Sequence, residues 1–237
     1  MSATSPAPRI VELRRGVLEK NDRLAADLRT RFAAADVQVS NWVSSPGAGK
    51  TTLLERVLTR ARERGLAAGA LVGDCATDND ARRLAASGAP VRQIVTEGMC
   101  HLEADMVGVH VDALEAAGHR LENLDLLVLE NVGNLVCPTS FDLGEGLRIA
   151  LMSVTEGEDK PLKYPQLFAS SDVIVLTKID IAAAVEFDES AALSAIATVA
   201  PGRPALPTSA RTGFGVDALL DLLLNPPLPA AGIHPPA

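Results

Sequence analysis

Ser44-Ser45-Pro46-Gly47-Ala48-Gly49-Lys50-Thr51 is the stretch that decides the fold. It follows an apolar run ending at Val43 and opens a helical pattern, so it reads as a glycine-rich loop between a strand and a helix. In such a loop, successive backbone N–H groups and the helix N-terminus cradle phosphate oxygens. Ser45, Gly47, Ala48, Gly49 and Thr52 are the expected cradle. Lys50 is placed to reach the outer phosphates, and the Thr51 hydroxyl to ligate Mg²⁺. The usual G-x-x-x-x-G-K-[ST] pattern has glycine where this chain has Ser44, a single departure at the least demanding end of the loop.

Working outward, the chain alternates short apolar runs with helical patterns. Strands are expected over 37–43, 67–72, 91–96, 126–130, 147–154, 173–177 and 204–208, and helices over 51–64, 79–86, 102–117, 162–169, 188–199 and 216–223. Strands that are apolar throughout and separated by helices predict an α/β fold, a mostly parallel sheet of about seven strands with helices on both faces. Ligands of such sheets sit beyond the carboxyl ends of the strands. Residues 9–35 carry apolar side chains at helical spacing, giving an N-terminal helical extension. Residues 1–8 read as a disordered leader and 225–237, with five prolines, as an unstructured tail. One P-loop domain over 9–224 is the expected organisation.

With 237 residues, 47% of them hydrophobic, the chain can bury a full core. A net charge of -8 argues against a surface for nucleic acid, whose phosphates it repels. No apolar run approaches the ~20 residues a membrane span needs. The leader lacks an export-type apolar segment, so a cytoplasmic location is expected. Three cysteines make no disulfide framework and read as buried or ligating thiols.

Base choice is read further on. Thr177-Lys178-Ile179-Asp180 ends the sixth strand, and Ser209-Ala210-Arg211-Thr212-Gly213 follows the last. They resemble the guanine-recognition motifs NKxD and SAK. Asp180 can accept from the N1 and N2 hydrogens of guanine, the Lys178 stem can pack on the base, and the Ala210 N–H can meet O6. Thr177 replaces the usual Asn, with the expected loss of a side-chain tie. Order along the chain makes these motifs informative, and they point to GTP and GDP rather than ATP.

Two acidic residues stand at strand ends, Asp74 and Glu130, and each is a candidate Mg²⁺ partner. Alone, either could equally be a helix cap or a solvated loop charge. Glu130 begins the segment Glu130-Asn131-Val132-Gly133-Asn134-Leu135-Val136-Cys137. The Gly133 N–H is the candidate γ-phosphate sensor, and Asn134 a weak candidate for positioning water. No strong catalytic base or arginine finger is evident, so slow intrinsic hydrolysis is expected, with Lys50, Thr51, Asp74, Glu130 and Gly133 as the catalytic set.

A thiol stands four positions after that glycine. Cys137 lies 37 positions (137 − 100) after Cys100, which His101 follows at the same sheet edge. Two thiolates and one imidazole form a borderline-soft set suited to Ni²⁺ or Zn²⁺. Singly, each cysteine reads as an ordinary buried thiol. The adjacent Cys-His, with a Cys behind the phosphate switch, favours metal. Three ligands leave coordination incomplete, to be filled by water or by a second copy. Cys75, beside Asp74, stays open as a fourth ligand or a bystander.

These residues together resemble the HypB family of hydrogenase maturation GTPases, nickel-insertion proteins among the P-loop GTPases related to the signal-recognition-particle and MinD types. The resemblance runs from Val39 to Gly215. It is densest in SSPGAGKTTLLE (44–55), GDCATDNDA (73–81), CHLEADMV (100–107), ENVGNLVCPTSFDLGE (130–145), SVTEGEDKPLKYP (153–165) and LTKID (176–180). It implies a weak GTPase that forms a homodimer with GTP and delivers nickel to a [NiFe]-hydrogenase large-subunit precursor with the partner chaperone HypA. It also implies that Cys100, His101 and Cys137 bind nickel or zinc. Some relatives carry an N-terminal cysteine motif or histidine-rich stretch. Residues 1–40 here hold neither Cys nor His, so the internal site carries the metal work.

Three rivals stand beside this reading. A urease-type nickel GTPase would have a Cys-Pro-His motif, whereas Cys137-Pro138 is followed here by Thr139. A small-molecule kinase would use ATP. A GTP switch with a structural zinc site would hold its metal without delivering it.

Overall fold

A computed structural model describes residues 9–74 and 78–226 of the chain. Seven strands, β1 (Gln38–Ser44), β2 (Ala68–Asp74), β3 (Val91–Val95), β4 (Leu126–Glu130), β5 (Leu147–Ser153), β6 (Val173–Thr177) and β7 (Ala205–Pro207), form one sheet. Its order is β3-β2-β4-β1-β5-β6-β7, and every neighbouring pair is parallel. Among the described residues eight α-helices accompany it: α1 (Arg9–Ala34), α2 (Lys50–Glu63), α3 (Asn79–Ala85), α4 (Ala104–Ala116), α5 (Lys160–Lys163), α6 (Pro165–Ala169), α7 (Glu189–Val199) and α8 (Val216–Leu224). This is the P-loop NTPase fold, preceded by a long N-terminal helix.

The central strands are apolar throughout because both faces of the sheet are covered. Period-two alternation divides each strand between two cores. Trp42, Leu126 and Val128 face α2 and α8, packing with Leu54, Leu58, Leu219 and Leu220. On the other face, Val39, Leu127 and Leu129 pack with Leu28 and Phe32 of α1 and with Val107 and Val111 of α4. Val43, Ile174 and Leu176 meet Phe168 of α6 and Ile196 of α7.

Parallel pairing brings the carboxyl ends of all the strands to one edge. β1 lies between β4 and β5, so the order of connection reverses beside it and opens a crevice at that edge. Ser44, Glu130, Ser153, Thr177 and Asp74 each end a strand there. Val72 pairs with Glu130, so Asp74 stands two residues beyond that level.

Two expectations need correction. The helix expected over 162–169 is two short helices, broken at Tyr164, whose φ of -125° and ψ of 53° are not helical. Pro165 is the reason, since its ring disfavours the α conformation in the residue before it. The helix expected from 102 starts at Ala104, because Glu103 is extended at φ -117° and ψ 157°. Cys100 and His101 therefore lie in the loop ahead of α4. Residues 1–8 and the part of the tail from 227 on lie outside the described residues. Among the described residues, no helix is long and apolar enough to cross a membrane.

Candidate functional site

The loop between β1 and α2 turns sharply enough for its backbone to face a ligand, with Gly47 at φ 77° and Gly49 at φ 90°. Lys50 opens α2 and points back across the loop. Its ammonium lies 3.1 Å from Glu130 Oε1 and donates to the Asn131 carbonyl at 2.5 Å. The Thr51 hydroxyl donates to the same Glu130 Oε1 at 2.6 Å. Lys50 is 9% exposed and Glu130 1%, so this is an ion pair almost sealed from water. Glu130 Oε2 is buried with no hydrogen-bond partner among the described residues. A buried carboxylate oxygen in that state can take a cation or an ordered water.

Beyond the glycine-rich loop the crevice holds a cavity of about 260 Å³. Gly49, Thr52, Thr177, Lys178, Asp180 and Ala210 are among its lining residues. Five of these six are expected from the sequence to hold nucleotide; Thr177 is expected only to have lost a side-chain tie. Ser209 joins them through its hydroxyl, which donates to Asp180 Oδ1 at 2.6 Å and fixes the carboxylate. Lys178 crosses the phosphate loop and donates to the Gly47 carbonyl at 2.7 Å. The expected loss at Thr177 does not occur: its hydroxyl donates to the Ala48 carbonyl at 2.6 Å. Threonine is shorter than asparagine, but the loop backbone lies close enough for the hydroxyl to reach it.

Gly133 sits against the loop. A Cβ there would stand 3.3 Å from the N, Cα and Cγ atoms of Pro46, so any larger residue would push the loop away by a few tenths of an ångström. Beyond it the chain turns back on itself. The Asn134 side-chain oxygen accepts the N–H of Val136 at 2.8 Å and of Cys137 at 3.3 Å. Asn134 thus holds the Cys137 turn, and its oxygen is engaged there rather than on water.

Cys137 comes to Cys100 and His101. One ligand atom from each of the three lies within 4.8 Å of the others, and all three residues are half-buried. Cys100 Sγ and His101 Nδ1 are 3.8 Å apart. Ligand atoms around one tetrahedral metal sit roughly 3–4 Å apart, given metal bonds of about 2.0–2.3 Å, so the set needs only a small contraction. The His101 ring stacks on Phe141 at a centroid distance of 3.9 Å, and its Nε2 lies 3.4 Å from Glu103 Oε1. The stack orients the imidazole, while Nε2 makes no hydrogen bond among the described residues. Cys75 lies outside the described residues.

With this geometry in place, the comparisons with known proteins decide the family. The model of the CobW/HypB/UreG nucleotide-binding domain matches residues 38–206. The hydrogenase maturation factor HypB of Azotobacter chroococcum mcd 1 is 47% identical over 211 residues, 88% of this chain and 66% of the relative. This chain belongs to the HypB family.

Solved structures agree. A crystal structure of HypB from Helicobacter pylori in complex with nickel superposes with a TM-score of 0.82 at 37% identity, covering 87% of this chain and 94% of that one. The HypB structure from Archaeoglobus fulgidus gives 0.78 at 33% identity, covering 87% and 98%. The chain spans about two thirds of the length of the Azotobacter relative.

This HypB-family chain also uses polar residues to which the sequence reading gave no role. Asn131 is fully buried; its side-chain oxygen accepts the Leu102 N–H at 3.1 Å, and its amide donates to Asn41 at 3.3 Å. Asn41 in turn donates to Glu145 at 3.1 Å. Glu145 pairs with Arg148, whose guanidinium holds the carbonyls of Thr139 and Phe141 on the Cys137 side. Burial would raise the Glu145 carboxyl, but the Arg148 charge, the Asn41 amide and the Leu143 N–H outweigh it and hold the pKa at about 2. Glu156, beyond β5, accepts the Ser45 hydroxyl and pairs with Lys160. Asparagines and a glutamate inside apolar surroundings were the available signal, but their partners lie up to 104 residues away along the chain.

Proposed function

We propose that this protein is a GTP-binding, slowly GTP-hydrolysing metallochaperone whose nucleotide state controls the delivery of nickel to a [NiFe]-hydrogenase. Residues 9–224 act as one GTPase domain. Ser45, Gly47, Ala48, Gly49, Lys50, Thr51 and Thr52 hold the phosphates; Lys178, Asp180, Ser209 and Ala210 hold guanine. Membership of the HypB family supports the assignment, as does the nickel bound by the Helicobacter pylori relative.

The observation that carries the reading is the double use of Asn131. Its carbonyl takes the ammonium of the phosphate-loop lysine, and its side chain takes the N–H of the residue after His101. A phosphate that draws Lys50 away removes a partner from Asn131, and Asn131 anchors the arm that carries two metal ligands. Gly133, seated on Pro46, moves the other arm with the loop. Linkage makes the effect reciprocal: metal alters nucleotide affinity by the factor by which nucleotide alters metal affinity.

Glu130, with its unpartnered buried oxygen, and the Thr51 hydroxyl beside it fit a Mg²⁺ ion, and Asp74 ends the neighbouring strand. That ion supplies charge neutralisation on the outer phosphates. Lys50 stabilises the same charge, Gly133 offers its N–H to the γ-phosphate, and among the described residues no side chain is placed as a strong base, in keeping with slow hydrolysis.

The cargo is nickel, held by Cys100, His101 and Cys137, with Zn²⁺ able to occupy the same donors. A homodimer, the nickel chaperone HypA and the hydrogenase large-subunit precursor are the partners, in the cytoplasm. Anaerobic Ni²⁺ titration with GDP and with a non-hydrolysable GTP analogue, read together with oligomeric state, tests the proposal. Different nickel affinities in the two states are expected; equal affinities sink it.

A further inference from the structure

Helix α1 is not a passive extension, and its contacts bear directly on the two arms that carry the metal-ligand residues. One arm runs from Cys100 to Ala104, where α4 begins; the other runs from Cys137 to Gly144. Between them stands Asn21 of α1, only 3% exposed. Its side-chain oxygen accepts the Ala104 N–H at 2.8 Å, and its amide donates to the Asp142 carbonyl at 2.8 Å. One side chain thus ties together two arms that also meet through the His101–Phe141 stack and by apolar packing.

The rest of α1 supports that bridge. Arg29 donates to both oxygens of Asp142 at 2.7 and 2.8 Å, and Asp142 in turn accepts the Gly144 N–H at 2.8 Å. Gly144 lies under the helix so closely that a Cβ would come within 2.8 Å of the Ala25 carbonyl and of Leu28 Cβ. Ala25 and Leu28 share an apolar cluster with Leu102 and Ala104 of the first arm and Leu143 of the second. The same face of α1 therefore grips both arms by packing, and Asn21 sets their spacing by hydrogen bonding.

We infer that Asn21 is a positioning residue of the metal site, and that α1 through it governs how closely Cys137 approaches Cys100 and His101. This rests on the reading of those three residues as nickel ligands. The physical basis is that a ligand set spread over two loops binds tightly only if the loops are held in register. Removing the bridge leaves the donors present but free to separate. Displacing α1 would do the same.

The test is anaerobic Ni²⁺ titration of the full chain, reading both affinity and the thiolate-to-nickel absorption band. Asn21→Ala should weaken nickel by ~10–100-fold and alter the band, while GDP affinity stays close to that of the wild type. Asn21→Asp keeps the acceptor for Ala104 but sets a buried carboxylate oxygen against the Asp142 carbonyl, so it should weaken nickel at least as much as Asn21→Ala. Phe32→Leu perturbs the α1 packing without touching either hydrogen bond and controls for stability. It should lower the melting temperature yet leave the nickel band and affinity unchanged. An unchanged nickel affinity in Asn21→Ala overturns the inference, as does a loss in Phe32→Leu matching that in Asn21→Ala. A wild-type chain with no such band, or one whose band survives Cys137→Ala, overturns the nickel reading itself and the inference with it.

Discussion

Lys50 and Glu130 form an ion pair at 3.1 Å across the phosphate loop, from the first residue of α2 to the last of β4. Neither side chain has appreciable access to water. The pair therefore contributes to stability as well as to the site, and the two roles can be separated by substitution.

Lys50→Ala removes the phosphate partner and leaves Glu130 buried without its cation. Breaking a buried pair in this way costs about 3–5 kcal/mol. The expected result is loss of nucleotide binding together with a marked fall in denaturant midpoint. Adding Glu130→Gln should restore most of the stability but none of the binding. Chemical denaturation of both variants, alongside a GDP titration, checks this.

Asn131→Ala removes the acceptor of the buried Leu102 N–H, at a cost of about 1–3 kcal/mol. Its more informative effect is on coupling. Site-to-site coupling is typically about 5–150-fold in affinity, and in this variant the ratio of nickel affinities with GTP analogue and with GDP should fall toward one. A ratio equal to that of the wild type would remove Asn131 from the pathway.

Cys137→Ala should weaken nickel by more than the ~10–100-fold that a lost outer-sphere partner costs, with GDP affinity nearly unchanged. The substituted residue is half-buried at a turn held by Asn134, so the fold should survive. Equilibrium dialysis with Ni²⁺ and a fluorescent GDP analogue separates the two effects.

Asp180→Asn exchanges an acceptor pair for one acceptor and one donor. Guanine then loses a partner for its N1 and N2 hydrogens, whereas xanthine, with an oxygen at position 2, gains one. A matched bidentate contact discriminates by about 1–3 kcal/mol, so preference should move from GTP toward XTP by ~10–100-fold. Competition binding with the two nucleotides reads the shift directly.

Glu145 predicts a pH signature. Its carboxyl is held at about 2 against an ordinary 4.5, with burial opposing and Arg148 the leading attraction. A depressed carboxylate contributes stability that is fully present above the unfolded value and lost as pH falls from about 4.5 toward 2. In Arg148→Met the attraction is gone and burial dominates, so the carboxyl rises above its ordinary value. Stability from this group then declines as pH increases above that value, the opposite slope. Urea midpoints of the two proteins between pH 3 and 7 should diverge as pH rises.

The sequence by itself determined the fold class and pointed to the motif residues. A glycine-rich loop, continuous apolar strands and helical periodicity are local signals, and they report what each segment does to its immediate neighbours. Element order then implied which strand ends share an edge, which is why Lys178, Asp180 and Ala210 could be assigned to one pocket before their separation was known. Cys100, His101 and Cys137 were legible as a donor set from residue type and from their place behind the phosphate switch. What only the tertiary structure decided is how these parts are connected. Thr177 reaches the Ala48 carbonyl, Asn131 lies between Lys50 and Leu102, and Asn21 spans Ala104 and Asp142. Each is a polar side chain meeting backbone groups remote in sequence. A backbone N–H or carbonyl is the same at every residue, so no pattern of side chains can announce which one will be met.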